Sequence, residues 1–425
     1  MTAGTRSVCM LVRNELWNDA RVKKEARSLL AAGWRVSIVC RQEPGAPAVE
    51  NWNGVRVVRP RYRSALTENL RRKADSAGGR GLAARLARAV RRNRVRRFLS
   101  DAFRNTMYEL RLLGVLLREK ASVYHANDLD TLLVCRLAAT IRGARLVYDS
   151  HELWLGSARY LRETGRLGRL RDRLTERLLV GGCDAVIAVT PGRGAEMERM
   201  YPRMKPPLIV ENCPEVTPRT ERTGALRSLV GAGRDTPVIL YQGIIAFERG
   251  LEQLVEAAWL LAGEGILLVI MGHDVTGGKI ARMAADPTLG ETLRVLPPVR
   301  SEDLPVYTAD ADAGLILFRN TCLNHYYSLP NKLYEYMMAG IPVIASDLPE
   351  IARVVKEGDF GLLIDPGDPA AIADAVRRAA SDPSWRAAAG ARARAAAERV
   401  HNWGEQEKVL LAAYEGLVRA GGPAR

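Results

Sequence analysis

Residues 326–347 read YYSLPNKLYEYMMAGIPVIASD, and they predict a short helix followed by a buried strand. Pro330 suits the first turn of a helix, and Gly340 is the residue type that most often ends one. The helix start presents free backbone N–H groups beside Lys332, which favours binding of an anion. Glu335 lies one to two turns in, near enough to reach hydroxyl groups of a ligand whose phosphate lies at the helix start. This pattern describes a nucleotide-sugar site; the alternative is a helix with a Lys–Glu pair on its solvated face.

The rest of the chain alternates short apolar runs with segments of helical length. Continuous apolar runs are typical of strands buried on both faces, as in parallel sheets covered by helices. The predicted strands are 7–12, 35–40, 55–58, 122–125, 145–149, 185–189 and 208–210 in the first half, and 238–242, 266–271, 293–296, 313–318, 342–345 and 361–364 in the second. The pattern predicts an α/β protein with two doubly wound domains. Ligands of such sheets bind beyond the carboxyl ends of the strands, so the loops there should form the site.

The length of 425 residues suits two domains, each with its own core. We predict a first domain over 1–212, a linker rich in Pro, Gly, Thr and charge over 213–236, and a second domain over 237–398. The tail from Ala370 onward is helical by composition, and residues 399–425 are predicted as its last helix.

The net charge of +15 comes mainly from one segment. Residues 56–120 hold 19 basic and 5 acidic side chains, whereas the rest of the chain holds 44 and 43. No apolar run approaches the 18 residues of a spanning helix, and the first residues lack the apolar stretch of a secretory signal. The six cysteines form no CxxC pair and are interpreted as reduced core residues. These features predict a cytoplasmic globular protein with one basic segment.

Three loops of the first domain follow predicted strands and carry polar side chains. The loop 13–19 precedes a helix that Asp19 can cap, and a capping role alone would explain that residue. His125-Ala-Asn-Asp128 and Asp149-Ser-His-Glu152 each end a strand. His151, flanked by two carboxylates, is a candidate for polarising or positioning a reacting group near neutral pH.

Two Asp-x-Asp pairs, at 128–130 and 310–312, resemble metal clamps. Such pairs are frequent by chance, and the second pair precedes a strand instead of following one. No metal site is predicted.

In the second domain, Gln242-Gly243 ends the first strand, and Arg249-Gly250 follows in the next loop. A glycine at a strand exit lets a ligand approach the backbone, and an arginine there can bind phosphate.

The segment YYSLPNKLYEYMMAGIPVIASDLPE closely resembles the donor-site signature of glycosyltransferase family 4, the retaining family with the GT-B fold. It is similar to the branch whose motif reads SLPNKLxEYM. Residues 18–25, 149–152, 186–191, 249–250 and 402–403 resemble further family segments in the same order. The resemblance implies two Rossmann-like domains that face a cleft and a last helix, within 399–425, that returns to the first domain.

The resemblance also implies roles for individual residues. Glu335 would bind the ribose hydroxyls, Arg249 would neutralise the donor diphosphate, and His151 would lie beside the transferred sugar; these three form the expected catalytic set. The donor side would comprise Gly243, Arg249, Tyr327, Leu329, Asn331, Lys332 and Glu335. The acceptor side would comprise Asn18, Asp19, Arg21, Asn127, Asp128 and Glu152.

Three positions depart from the family pattern. Tyr327 stands where the motif has its first glutamate, Pro330 stands for the glycine of the phosphate loop, and Ile244 stands for an arginine. Pro330 has no N–H to donate, so the phosphate contacts would differ in detail.

The activity implied is transfer of a sugar, with retained configuration and without a metal or other cofactor, from a nucleotide-diphosphate sugar to an acceptor hydroxyl in polysaccharide, glycolipid or metabolite synthesis. The alternatives are a sugar-nucleotide epimerase of GT-B fold and a non-catalytic protein that binds anionic membrane or nucleic acid. The basic segment 56–120 has few aromatic residues for base stacking, so nucleic acid is not predicted. An anionic membrane surface and a lipid-linked acceptor are the expected partners, with the protein peripheral on the inner face of the membrane.

Overall fold

The computed structural model of the protein describes residues 6–17, 19–43, 45–60 and 94–419. In these residues the strands form two sheets, one in each half of the chain. The first sheet has the order β3-β4-β2-β1-β5-β6-β7-β8, and the second has the order β11-β10-β9-β12-β13-β14. Every neighbouring pair is parallel except β3 and β4.

The strands of the first sheet are β1 Ser7–Leu11, β2 Arg35–Val39, β3 Val49–Trp52, β4 Val55–Val58, β5 Val123–Asn127, β6 Arg145–Ser150, β7 Ala185–Ala188 and β8 Leu208–Ile209. Those of the second are β9 Val238–Gln242, β10 Leu267–Met271, β11 Leu293–Leu296, β12 Ala313–Ile316, β13 Val343–Ser346 and β14 Gly361–Ile364. The predicted α/β, doubly wound fold class is confirmed.

Strand β3 was not predicted. Its side chains alternate between exposed and half-buried, because it is an antiparallel edge strand and lacks a continuous apolar run. It joins β4 through Asn53 and Gly54, both with positive φ, the backbone that a tight two-residue hairpin requires.

The helices of the described residues are α1 Ala20–Ala31, α2 Arg94–Glu119, α3 Leu129–Arg142, α4 Ala158–Glu163, α5 Arg166–Val180, α6 Pro191–Met200, α7 Ala225–Val230, α8 Leu251–Leu260, α9 Lys279–Ala284, α10 Leu304–Asp310, α11 Leu323–Tyr326, α12 Asn331–Ala339, α13 Pro349–Gly358, α14 Pro369–Ser381, α15 Pro383–Arg399 and α16 Trp403–Arg419. Most of α1 is buried along one face, and Asp19 caps its start by accepting a hydrogen bond from the Val22 N–H. No helix in this part of the chain is long and apolar enough to cross a bilayer.

The segment predicted as a linker, 213–236, contains α7 and packs on the second domain. Leu226 is buried, and the carboxylate of Asp310 accepts hydrogen bonds from the N–H groups of Gly224 and Leu226. Asp312 forms ion pairs with Arg222 and Arg227. Both members of the second Asp-x-Asp pair therefore hold this segment in place.

Helix α16 leaves the second domain and packs on α1 of the first. The Trp403 indole N–H donates to Ser28 Oγ at 2.9 Å, and the ring of Tyr414 meets Trp34 edge-on at 5.1 Å between centroids. The prediction that the tail returns to the first domain is confirmed. All six cysteines are free, and five of them are buried.

Candidate active site

The carboxyl ends of the two sheets face a cleft of about 280 Å³ between the domains. From the first domain it is lined by Asp19, Arg21 and His151, and from the second by Leu329 and Asn331. Five residues predicted from separate parts of the sequence therefore lie around one cavity. Asn18, the neighbour of Asp19, lies outside the described residues.

His151 lies in the loop after β6, and 18% of its side chain is exposed. Its Nε2 lies 3.2 Å from Asp149 Oδ2, its Nδ1 lies 3.6 Å from Asp128 Oδ2, and its backbone N–H donates to Asp128 Oδ1. Burial lowers the pKa of His151, but the carboxylates of Asp128 and Asp149 outweigh it and raise the pKa to about 10. His151 is therefore an imidazolium at neutral pH, which makes it a fixed positive charge instead of a general base.

Asp149 is fully buried and is held by Arg21. The guanidinium donates to both carboxylate oxygens at 2.9 and 3.0 Å and to the Val210 carbonyl at 2.8 Å. Although burial raises the pKa of Asp149, Arg21 and His151 hold it well below its usual range. Arg21 was predicted on the acceptor side. Its guanidinium donates to Asp149, so Arg21 holds in place the carboxylate that lies beside His151.

Two more buried groups complete this cluster. Glu25 lies 3.0 Å from Arg21 Nε, and burial beside Asp149 raises the pKa of Glu25 well above its usual range. His125 has its Nε2 3.7 Å from Asp149 Oδ2, while its Nδ1 is 2.6 Å from the Tyr414 hydroxyl on α16. Burial lowers the pKa of His125, so its ring is neutral.

The remaining residues predicted on the acceptor side are Asp128, Asn127 and Glu152, and they do not all lie in the cleft. Asp128 has a left-handed backbone (φ 63°), and burial raises its pKa to about 7. Asn127 is buried and donates to the Leu11 carbonyl, so its side chain joins neighbouring strands and does not line the cleft. Glu152 accepts a hydrogen bond from Asn324 at 3.1 Å and links the two domains.

On the donor side, Gly243 and Lys332 come together. Gly243 has a φ of 122°, and a Cβ there would lie 3.3 Å from Lys332 Nζ. The Lys332 ammonium group lies 3.5 Å from the Tyr241 ring centroid. Burial, and the nearby charge of Arg249, lower the pKa of Lys332 well below its usual range. An anion at this point would raise the pKa of Lys332 again.

Arg249 is held over the ring of Phe318, 4.0 Å from its centroid. Gly250 follows with a φ of 68°, and a Cβ there would approach the Leu317 carbonyl oxygen to 2.4 Å. Only glycine fits this turn, which fixes the position of Arg249 at the start of α8.

Glu335 belongs to a chain of hydrogen bonds. Its Oε2 accepts from Gln242 Nε2 at 2.5 Å, and Gln242 Oε1 accepts from the Thr308 hydroxyl at 2.7 Å. Burial raises the pKa of Glu335, partly offset by Gln242 and Lys332. Helix α12 begins at Asn331, whose Oδ1 accepts a hydrogen bond from Asn212.

Tyr327 was predicted on the donor side, but its ring packs on the first domain. A Cβ on Gly192, in α6, would lie 2.4 Å from Tyr327 Cδ1, and the Tyr327 carbonyl accepts a hydrogen bond from Thr190. Tyr327, which stands where the family motif has its first glutamate, thus makes a contact between the two domains.

Arg193 was missed by the sequence analysis, although it also lines the cleft. It donates to the His151 carbonyl at 2.7 Å and to the Asn324 carbonyl at 3.2 Å. Its only sequence signal is its place at a helix start after β7, which does not distinguish it from the many other arginines.

Two clusters in the described residues have metal-ligating groups close together: Glu25, His125 and Asp149, and Glu211, Cys213 and His401. Each also contains a guanidinium, Arg21 at 2.9 Å from Asp149 and Arg353 at 2.7 Å from Glu211. A built-in cation beside the carboxylate disfavours a second cation, so both are interpreted as ionic clusters that hold structure.

Comparison with known proteins gives the family. Residues 19–213 match the glycosyl transferase 4-like domain, and residues 227–396 match the glycosyl transferases group 1 domain. The chain belongs to glycosyltransferase family 4. The family and branch proposed from the signature around Glu335 are thus consistent with matches that cover both domains.

Among relatives, a D-inositol 3-phosphate glycosyltransferase of Xylanimonas cellulosilytica is 28% identical over 56% of this chain and 58% of its own length. The match therefore spans less than two thirds of that relative. Among solved structures, sucrose-phosphate synthase from Thermosynechococcus elongatus has a TM-score of 0.72 at 20% identity, covering 98% of this chain and 100% of its own. Anabaena HepE in complex with UDP-glucose has a TM-score of 0.67 at 14% identity, covering 96% and 99%. These structures show the GT-B fold.

Proposed function

We propose that this glycosyltransferase transfers a sugar from a nucleotide-diphosphate sugar to an acceptor hydroxyl in the cleft between its domains. The observation that carries the proposal is that both domains line one cavity, with His151 from the first domain and Leu329 and Asn331, at the start of α12, from the second. Arg249 and Lys332 of the second domain would supply positive charge to a diphosphate bound there.

The donor would lie along the second domain. Its diphosphate would meet Arg249 and Lys332, and its charge would raise the pKa of Lys332 back toward the usual range. Glu335, held by Gln242, would accept hydrogen bonds from the ribose hydroxyls. These cations and the N–H groups of α12 would stabilise the charge that develops on the leaving diphosphate, so no metal or other cofactor is needed.

In the reaction, the bond between the anomeric carbon and the diphosphate breaks, and a bond to the acceptor oxygen forms. The acceptor proton moves to a donor phosphate oxygen on the same face, which retains the configuration. His151, fixed by Asp128 and Asp149, holds a positive charge beside the transferred sugar and orients it. Asp19, which lines the same cleft, would face the acceptor.

The acceptor and the cellular surface on which it lies can also be proposed. A lipid-linked acceptor and an anionic membrane surface would suit the basic segment 56–120, with the protein on the inner face of the membrane. Most of that segment, residues 61–93, lies outside the described residues. Family membership argues against the epimerase and the non-catalytic binding protein as alternatives.

The test is a screen of nucleotide sugars with the full chain, first for thermal stabilisation and then for donor turnover with and without acceptors. One donor should stabilise the protein and release nucleoside diphosphate, with unchanged turnover in excess EDTA. The coupling constant of the product's anomeric proton measures retention. Conversion of the donor to an epimer without an acceptor would instead assign the cleft to epimerisation.

A further inference from the structure

Helix α5 presents a row of leucines to solvent. Leu167 is 84% exposed and Leu178 is 78% exposed, and between them Leu170 and Leu174 are about half exposed. Their spacing of three, four and four residues places all four on one face of the helix. A leucine side chain this exposed contributes little to the stability of the fold. A row of four such leucines indicates a surface that binds another molecule or a membrane.

Arginines flank this row on both sides. We call the combined surface the leucine–arginine face: Leu167, Leu170, Leu174, Leu178, Arg166, Arg171, Arg173 and Arg177, all exposed. On a helical projection, Arg171 lies on one side of the leucines and the other arginines lie on the opposite side. Long arginine stems can lie along an apolar surface while their charged ends reach polar groups.

Of the two acidic residues of α5, Asp172 pairs with one arginine of this face, because its Oδ1 lies 2.7 Å from the Arg171 guanidinium. Asp172 Oδ2 accepts a hydrogen bond from the Tyr160 hydroxyl at 3.0 Å. Glu176 is buried and accepts from the hydroxyls of Tyr148 and Tyr201 at 2.9 and 2.6 Å. Glu176 therefore serves the interior and Asp172 neutralises Arg171 alone, so the outer face of α5 is apolar with a net positive charge from Arg166, Arg173 and Arg177.

The apolar surface continues onto the neighbouring helices. Helix α3 packs beside both α5 and α2. It exposes Leu133, Leu137 and Ile141, and α2 exposes Met107 and Leu110. The surface is thus broader than one helix and lies on one side of the first domain.

We propose that the leucine–arginine face docks the protein on an anionic lipid bilayer, with the leucines among the upper acyl chains and the arginines on lipid phosphates. An apolar row between cationic borders matches the layered chemistry of such a surface. A second copy of this chain fits less well, because a two-fold contact would bring the arginines of both copies together.

This inference does not depend on sugar transfer, and the leucine–arginine face lies on α5, outside the basic segment 56–120 in sequence. Binding is therefore measured without donor or acceptor. The full chain is sedimented with phosphatidylcholine vesicles that contain or lack phosphatidylglycerol, at low and at high salt.

The test variant is Leu167→Gln/Leu178→Gln, and its matched control is Leu229→Gln/Leu260→Gln, which changes two exposed leucines of the second domain. The test variant should lower the vesicle partition coefficient at least about tenfold, because insertion of each leucine contributes strongly to binding. The control should bind like the original protein, and both should keep its melting temperature. Arg173→Gln/Arg177→Gln, which leaves the Arg171–Asp172 pair intact, should weaken low-salt binding by about fivefold for each arginine.

Three results would overturn the proposal. The first is no binding of the original protein to anionic vesicles at low salt. The second is equal binding by the test and control variants, which would return any membrane contact to the basic segment. The third is a dimer, measured by light scattering, that Leu167→Gln/Leu178→Gln converts to a monomer while neither form binds vesicles; the face would then be a self-association surface.

Discussion

The carboxylates around His151 predict that its ring is positively charged at neutral pH, and this prediction can be tested directly. Asp128 and Asp149 raise its pKa to about 10, against 6.5 in an unfolded chain. At about 1.4 kcal/mol for each pH unit, the folded state gains at most about 5 kcal/mol from this proton. Because the folded pKa is the higher one, this stability is complete below pH 6.5 and disappears as the pH rises to about 10.

The perturbation is His151→Gln, which keeps a polar side chain and removes the titration. The unfolding free energy of the original protein should fall relative to the variant by about 1.4 kcal/mol for each pH unit between pH 7 and 10. Urea unfolding at several pH values measures this difference.

A direct measurement uses protein labelled with ¹³C-histidine. The His151 imidazole signal, assigned by its loss in His151→Gln, should remain that of the protonated ring at pH 8. A midpoint near 6.5, or identical pH slopes for both proteins, would refute the reasoning and return His151 to the role of a general base.

Three further changes test other parts of the site. Glu335→Ala should lower turnover at least about tenfold and raise the KM for the donor while the melting temperature is kept; near-full activity would remove its role in donor binding. Tyr414→Phe leaves the buried Nδ1 of His125 without its partner and should cost about 1–3 kcal/mol in urea unfolding; an unchanged midpoint would contradict that bond. Gly250→Ala forces a Cβ to 2.4 Å from the Leu317 carbonyl and should abolish donor-induced thermal stabilisation; full stabilisation would show that the turn adapts.

The architecture was readable from the sequence because strands buried on both faces are continuous apolar runs. Strand β3 was missed because it lacks such a run. Strand β3 reads VENW, with half its side chains toward solvent, and only the Asn53-Gly54 turn marked it. Within the segment predicted as a linker, 213–236, the packing of α7 was not foreseen, because the carboxylate that holds its start belongs to Asp310, far along the chain.

The donor side was easier to predict than the cluster behind His151. Lys332 and Glu335 lie three residues apart in one helix, so their proximity follows from the helical repeat alone. Glu25, His125 and Tyr414 come from three elements that are far apart in the sequence. No short sequence pattern indicates that these residues are in contact. Arg21 illustrates the same limit, since its position was foreseen but its partner, Asp149, was not.

The return of α16 to the first domain affects how the protein is made. Ribosomes release a chain from its first residue to its last, and domains generally fold as they emerge. Here Tyr414 and Leu410 belong to the same apolar cluster as Trp34 and Val36. The interior of the first domain is therefore completed only after residue 414 has been synthesised, and every residue of the second domain is synthesised before that point.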